Sequence, residues 1–138
     1  MALSTAQNKN FKRGAHPALG SKLGIIENTI DVSEVTNGDG LTAITFASAT
    51  LIIAAGIEIK TATNASVTVD LGDSENGTEY VSAQDGTDTA GTQMARVAVT
   101  PIMKAAASVL VLSIGGATPS AGSMRVWAIV ADPGGASG

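Results

Sequence analysis

The chain has 138 residues, of which 44% are hydrophobic, only 3% aromatic and 14% charged, with a net charge of −4 and no cysteine. This is the length of one domain, apolar enough to fold, and disulfides and thiolate metal sites are excluded outright. The longest apolar run, LIIAAGI at 51–57, is far too short to cross a bilayer, and the polar N-terminus lacks the apolar stretch of a secretory signal.

Residues 1–22 carry Lys9, Lys12, Arg13 and Lys22 and no acid, a formal charge of +4. The remainder carries four basic residues against twelve acids, so its charge is 4 − 12 = −8. The first stretch has no hydrophobic period and reads as an extended basic N-terminal arm. Residues 23–132 read as a β-sandwich domain. Residues 133–138, polar and glycine-rich, read as a flexible C-terminal tail.

Within the body, 25–32 places Ile26, Ile30 and Val32 on one face and Glu27, Thr29 and Asp31 on the other, the pattern of a half-buried strand. Thr36-Asn-Gly-Asp-Gly is a turn, because Asn and Gly accept positive φ cheaply. A strand over 41–46 puts Ile44 and Phe46 on a shared side. The run 50–61 aligns Leu51, Ile53, Ala55, Ile57 and Ile59, opposite Glu58 and Lys60; Gly56 marks a bulge or a close backbone approach. The strand at 66–71 turns Val67, Val69 and Leu71 inward, and Asn64-Ala65 before it is short enough to make a hairpin with the preceding strand.

Residues 72–92 are acidic and turn-rich, with an apolar contact at Tyr80 and Val81, and are expected to be a long surface loop or a poorly paired edge. Residues 94–100 alternate and stop at Pro101, and 101–107 is the one helix-like stretch. The run 108–114 is apolar on both faces, so it needs cover on both. The last strand, 124–131, sets Met124, Val126, Ala128 and Val130 against Arg125, Trp127 and Ile129. The whole predicts an all-β fold, an antiparallel β-sandwich or jelly-roll.

Chemistry is sparse in this sequence. Asp70, Asp73, Glu75, Glu79, Asp85 and Asp88 offer hard oxygen ligands, but their spacing fits no calcium loop, and a solvated acidic surface is the better reading. His16 is the only histidine and lies in the arm, with no nucleophile elbow in the chain. Four aromatics, Phe11, Phe46, Tyr80 and Trp127, are few for a sugar-cleaving cleft. No catalytic, cofactor or metal residue is assigned. An acidic body repels phosphate, so nucleic acid is not an expected partner, and neither is a membrane. The arm's cations, Lys9, Lys12, Arg13 and Lys22 around Phe11, suit docking on an acidic protein surface. Trp127 and Ile129 share a face that calls for cover by another sheet or subunit.

Two segments, LIIAAGIEIKTATNASVTVDLGD at 51–73 and MRVWAIVAD at 124–132, resemble small virion structural proteins of tailed bacteriophages. The resemblance spans about half the body and transfers no catalytic residue. It implies a β-sandwich that decorates or cements the capsid surface, made in the host cytoplasm, with the major capsid protein as partner. Self-association is also expected, and shell geometry favours a homotrimer. Lys9, Phe11, Lys12, Arg13 and Lys22 would then form a capsid-binding arm. The alternative under the same resemblance is a fibre, vertex or tail component that binds a host-surface glycan, for which Tyr80 and Trp127 are the available aromatic platforms.

Overall fold

The structure, a computed structural model, describes residues 23–95 and 102–131. Nine strands form among these residues: β1 (Leu23–Asp31), β2 (Gly40–Phe46), β3 (Thr50–Thr61), β4 (Thr68–Gly72), β5 (Val81–Asp85), β6 (Gln93–Ala95), β7 (Ile102–Lys104), β8 (Ser108–Gly115) and β9 (Ser123–Ala131). A 3-10 turn at Val32–Glu34 follows β1, capped by Asp31, whose carboxylate accepts from the Ser33 amide at 3.0 Å.

The first sheet has the order β1-β9-β3-β6, with β7 also on β3; the second has the order β2-β8-β4-β5. Every pairing is antiparallel. Setting β7 aside, the pairs nest: first with last, β2 with β8, β3 with β6, β4 with β5. That is one long hairpin rolled up into two packed sheets, the jelly-roll. The expected all-β sandwich is therefore the fold, in its jelly-roll form.

The core lies between the sheets. Ile30, Ile52, Ile57, Ile59, Met124 and Val126 come from the first, and Ile44, Phe46, Val69, Leu71, Leu110, Leu112 and Ile114 from the second. Each fully buried aliphatic side chain contributes about 1.5–3 kcal/mol. Branched aliphatics thus replace the aromatics this chain lacks, and Phe46 and Tyr80 are the aromatic members.

Three local expectations are corrected. In β3 the inward residue is Ile52, fully buried, while Leu51 and Ile53 are only half-buried. A register shift against β9 between Ile52 and Ala54 inserts one residue and inverts the alternation before it. Gly56 is not that bulge. The 64–65 connection is not a hairpin: β3 and β4 belong to different sheets, and Asn64 instead accepts from the Ser120 and Ala121 amides at 3.0 and 3.1 Å. Residues 102–104 are not helical but pair as β7 with Thr50–Ile52. The acidic stretch 72–92 is a loop plus the edge strand β5, and β6 begins at its end. The rest of the strand expected to reach Thr100, the arm and the tail from 132 onward lie outside the described residues.

Candidate interaction surface

The two sheets present contrasting outer faces. On the first sheet, β9 is central and turns Arg125, Trp127 and Ile129 outward while Met124, Val126 and Ala128 are buried. Register builds three rows across it: Ile25, Ile129 and Ala54; Glu27, Trp127 and Gly56; Thr29, Arg125 and Glu58. The first two rows are largely apolar, the third charged.

Gly56 explains how Trp127 is held. A Cβ at this position would lie 2.6 Å from Trp127 Cζ2 and 2.5 Å from the Met94 carbonyl oxygen. The indole therefore lies against bare backbone, a close approach that only glycine permits. A shallow depression of about 350 Å³ runs beside the ring, lined by Ile25, Glu27, Gln93, Arg125, Trp127 and Ile129.

The charged row is internally matched. Arg125 donates to Glu27 Oε2 at 2.8 Å and to Glu58 Oε2 at 3.0 Å. Lys60 donates to Glu58 Oε1 at 2.8 Å, and the Gln93 amide donates to Glu58 Oε2. The Lys60 and Gln93 hydrogen bonds, with lesser help from the Arg125 charge, hold the Glu58 carboxyl below its usual range against the opposing effect of burial. Beyond this row lies a polar depression of about 500 Å³ bordered by Thr29, Asp31, Thr61 and Ser123.

The second sheet covers its own outer face. β8 is central there, with Leu110, Leu112 and Ile114 in the core. Its outward residues Val111 and Ser113 are nevertheless 7% and 1% exposed. The 73–79 loop supplies part of the cover: the Asn76 amide donates to Ser113 Oγ at 2.8 Å. A Cβ at Gly40 would lie 2.7 Å from Val111 Cγ1 and 3.1 Å from Glu75 Cγ, so this loop rests on the β2–β8 edge. The cover expected on both sides of 108–114 thus comes in part from the chain itself.

Three acidic residues of this region are engaged in contacts of their own. Asp70 accepts from the Ala83 amide at 2.7 Å, Asp73 pairs with Lys104, and Asp85 takes the Thr87 hydroxyl and amide. Those two bonds from Thr87, the hydroxyl first, lower the Asp85 carboxyl. Among the described residues no three metal-capable side chains gather. Tyr80, one of the two aromatic platforms offered by the sequence, is fully buried and is withdrawn from that role. Burial first, then the neighbouring Asp73 charge, pushes its hydroxyl up from 10.0.

Trp127 and Ile129, singled out from alternation, do share one outer face, and the structure brings Ile25 and Arg125 to them. Ile25 was signalled by its adjacency to Ile26, since neighbouring residues on a strand face opposite ways. Lys9, Phe11, Lys12, Arg13 and Lys22 lie outside the described residues.

The fold is one found in phage capsids. A chain in the acidic stable capsid structure of Helicobacter pylori bacteriophage KHP30 superposes with a TM-score of 0.60 at 13% identity, over 81% of this chain and 89% of its own. A chain of the cyanophage Pam1 capsid asymmetric unit gives 0.60 at 16% identity, over 80% and 85%. A chain of the Ralstonia phage GP4 capsid gives 0.61 at 11%, over 80% and 84%. The sequence itself matches no family model and no curated protein. At such low identity the likeness is one of fold.

Proposed function

We propose that this protein is a structural component of a phage virion, a decoration or cement protein that binds the outer capsid shell and stabilises the particle. The jelly-roll shared with capsid chains over four-fifths of the sequence carries this reading. The mechanism is adhesive rather than catalytic. The half-buried Trp127 and Ile129 face meets a neighbouring subunit, with the major capsid protein and further copies of this chain, three around a shell axis, as partners. The basic arm, with Lys9, Phe11, Lys12, Arg13 and Lys22, lies along neighbouring subunits and pairs its cations with acidic surface. Many weak contacts repeated over a lattice offset the entropy of ordering such an arm.

Densitometry of purified particles tests this. Copy number on the scale of the shell lattice is expected; copies confined to vertices or fibres would overturn it, as would absence from the particle. Chains lacking residues 1–22 should fold yet occupy particles poorly, whereas full occupancy would move attachment wholly to the sandwich faces.

A second reading has one observation in its favour. Trp127, partly exposed in a depression that Arg125 and Gln93 also line, offers an aromatic ring with polar neighbours, as a glycan platform in a fibre or vertex protein requires. Saturable binding of host-surface glycan by the wild-type chain, lost in Trp127→Ala, would favour it over the first.

A further inference from the structure

We propose that the free edge of β1 receives an extended strand from the arm of a second copy, residues 9–13, with Ile25 and Glu27 reading its side chains. This deepens the reading of residues 1–22 as an arm and names what acidic surface it meets.

The argument starts from how sheet edges are protected. Open edges invite pairing, so proteins shorten them, bulge them or place Lys and Pro on them. Two edge strands of this sandwich, β2 and β5, are defended among the described residues. β2 carries a register shift between Thr42 and Ile44. β5 is five residues long, carries Ala83 at φ 48°, and meets a register shift in β4. β1 has none of these devices. It pairs with β9 in unbroken register for nine residues, and LGIIENTID contains neither Pro nor Lys. One side-chain contact reaches across from it, Asn28 Nδ2 donating to the Ala43 carbonyl at 2.9 Å, which uses no backbone group of β1.

Apolar exposure points to the same place. The exposed large hydrophobic side chains among the described residues are Ile25 at 69%, Ile26 at 38% and Leu41 at 40%. All three lie on β1 and β2, the strands that edge one side of the sandwich. A strand added to β1 removes Ile25 and Ile26 from water and satisfies the free backbone groups together.

Charge and spacing choose the occupant. Ile25 and Glu27 are two apart, so they share a face of β1. In the segment Lys9-Asn10-Phe11-Lys12-Arg13, an extended chain sets Lys9, Phe11 and Arg13 on one side. With Phe11 opposite Ile25, antiparallel pairing sets Lys9 against Glu27 and parallel pairing sets Arg13 there. Either direction places a cation opposite Glu27, a favourable cross-strand pair. The segment comes from an arm of +4 and the strand from a body of −8. Folding back onto its own β1 would require a loop of nine residues, 14–22, longer than hairpins ordinarily use. Extended, the nine residues 14–22 that tether the segment reach roughly 30 Å, enough to cross to an adjoining copy.

The absence of cysteine makes disulfide trapping a direct test. Full-length Phe11→Cys and Ile25→Cys chains, one isotopically labelled, are mixed and oxidised in free solution. The expected product is the mixed-mass dimer, in clear excess over the share that random pairing of the two chains would give. No excess overturns the proposal, and so does an internal disulfide in the double variant without a mixed dimer. Charge exchange supplies a second readout. Glu27→Lys should weaken self-association roughly fivefold or more, and adding Lys9→Glu with Arg13→Glu should restore it; unchanged association overturns the proposal. Both experiments use free protein without capsids, so their failure is distinct from failure of the shell reading.

Discussion

The outer faces of the two sheets solve one problem in two ways. Each sheet has a central strand with apolar groups on its outward side: Val111 on β8, Trp127 and Ile129 on β9. On the second sheet the chain folds its own 73–79 loop back, the Asn76 amide reaches Ser113 Oγ, and the outward Val111 and Ser113 of β8 become as buried as core. On the first sheet no described segment crosses the face. Trp127 is settled against Gly56 and left half-buried, with Ile129 and Ile25 beside it. The flanking strands differ as well, since β4 and β5 turn Thr68, Asp70 and Gln84 to solvent. Self-covered apolar surface adds to the stability of the single chain; uncovered apolar surface is available to a partner.

The contrast implies a double dissociation. Trp127→Glu should leave the monomer folded but weaken association or particle attachment by about 2 kcal/mol, roughly thirtyfold, the size of an interface hot spot. Occupancy of particles measures it, and undiminished occupancy would assign the partner face elsewhere. Trp127 is the only tryptophan, so a blue shift of its emission on assembly reads the same burial in the wild type. Gly56→Val should act on both sides of the contrast. Its new side chain runs into the Met94 carbonyl and the indole, and overpacking of this kind costs about 1–3 kcal/mol. A lowered melting temperature with red-shifted Trp127 emission is expected; an unchanged spectrum would show that the indole does not depend on this glycine.

Tyr80, the only tyrosine, tests the interior that both sheets share. Its folded-state value is raised from 10.0, chiefly by burial, so the native state favours the neutral phenol. The stability it contributes is complete below pH 10 and is lost progressively as pH rises above it. Tyrosinate absorbance should therefore stay silent through pH 10 and appear together with cooperative unfolding. An ordinary titration near pH 10 in folded protein would show that Tyr80 is reachable by water.

Alternation made much of this legible in the sequence. Val67, Val69 and Leu71, and Met124, Val126 and Ala128, are buried where period two places them; all but Val67, which immediately precedes β4, lie on a strand. Trp127 and Ile129 fall on the outer face for the same reason. Periodicity states which face a residue occupies, not which sheet its strand joins, and so β3 and β4 read as a hairpin. The inserted residue near Ile53 leaves no mark in local composition; it is fixed by register against β9. The seat of Trp127 is likewise non-local: Gly56 announced a close approach, but only the β3–β9 register identifies the indole as what approaches. The self-cover of β8 was hidden because a loop rich in acid reads as solvated surface, whereas its contacts are made by the Asn76 backbone and the Glu75 stem.

A smaller effect is expected from Ser113→Ala. It removes the acceptor of the Asn76 amide, and an intramolecular hydrogen bond of this kind contributes about 1 kcal/mol. Denaturant unfolding should record that loss, while association and particle occupancy stay as in wild type, because the second sheet's outer face is already covered by the same chain. Loss of attachment instead would show that the 73–79 loop is itself a contact and would dissolve the contrast between the faces.

The smallest effect belongs to the charged row of the first sheet. Arg125→Met breaks two ion pairs, but Glu58 keeps Lys60 and Gln93, and exposed pairs contribute little to stability. The consequence is best read through pH. Glu58 is held below its ordinary 4.5, first by the Lys60 hydrogen bond and then by Gln93. Its contribution is therefore present above pH 4.5 and lost as pH falls through the lowered folded-state value. Removing Arg125 subtracts one of the lesser causes, so the acid limb of the stability profile should move only slightly toward higher pH. Association should change little at the ionic strengths that screen surface charge. If Arg125→Met instead abolished association while the fold persisted, recognition on this face would be electrostatic, and the apolar rows around Trp127 would be the frame rather than the contact.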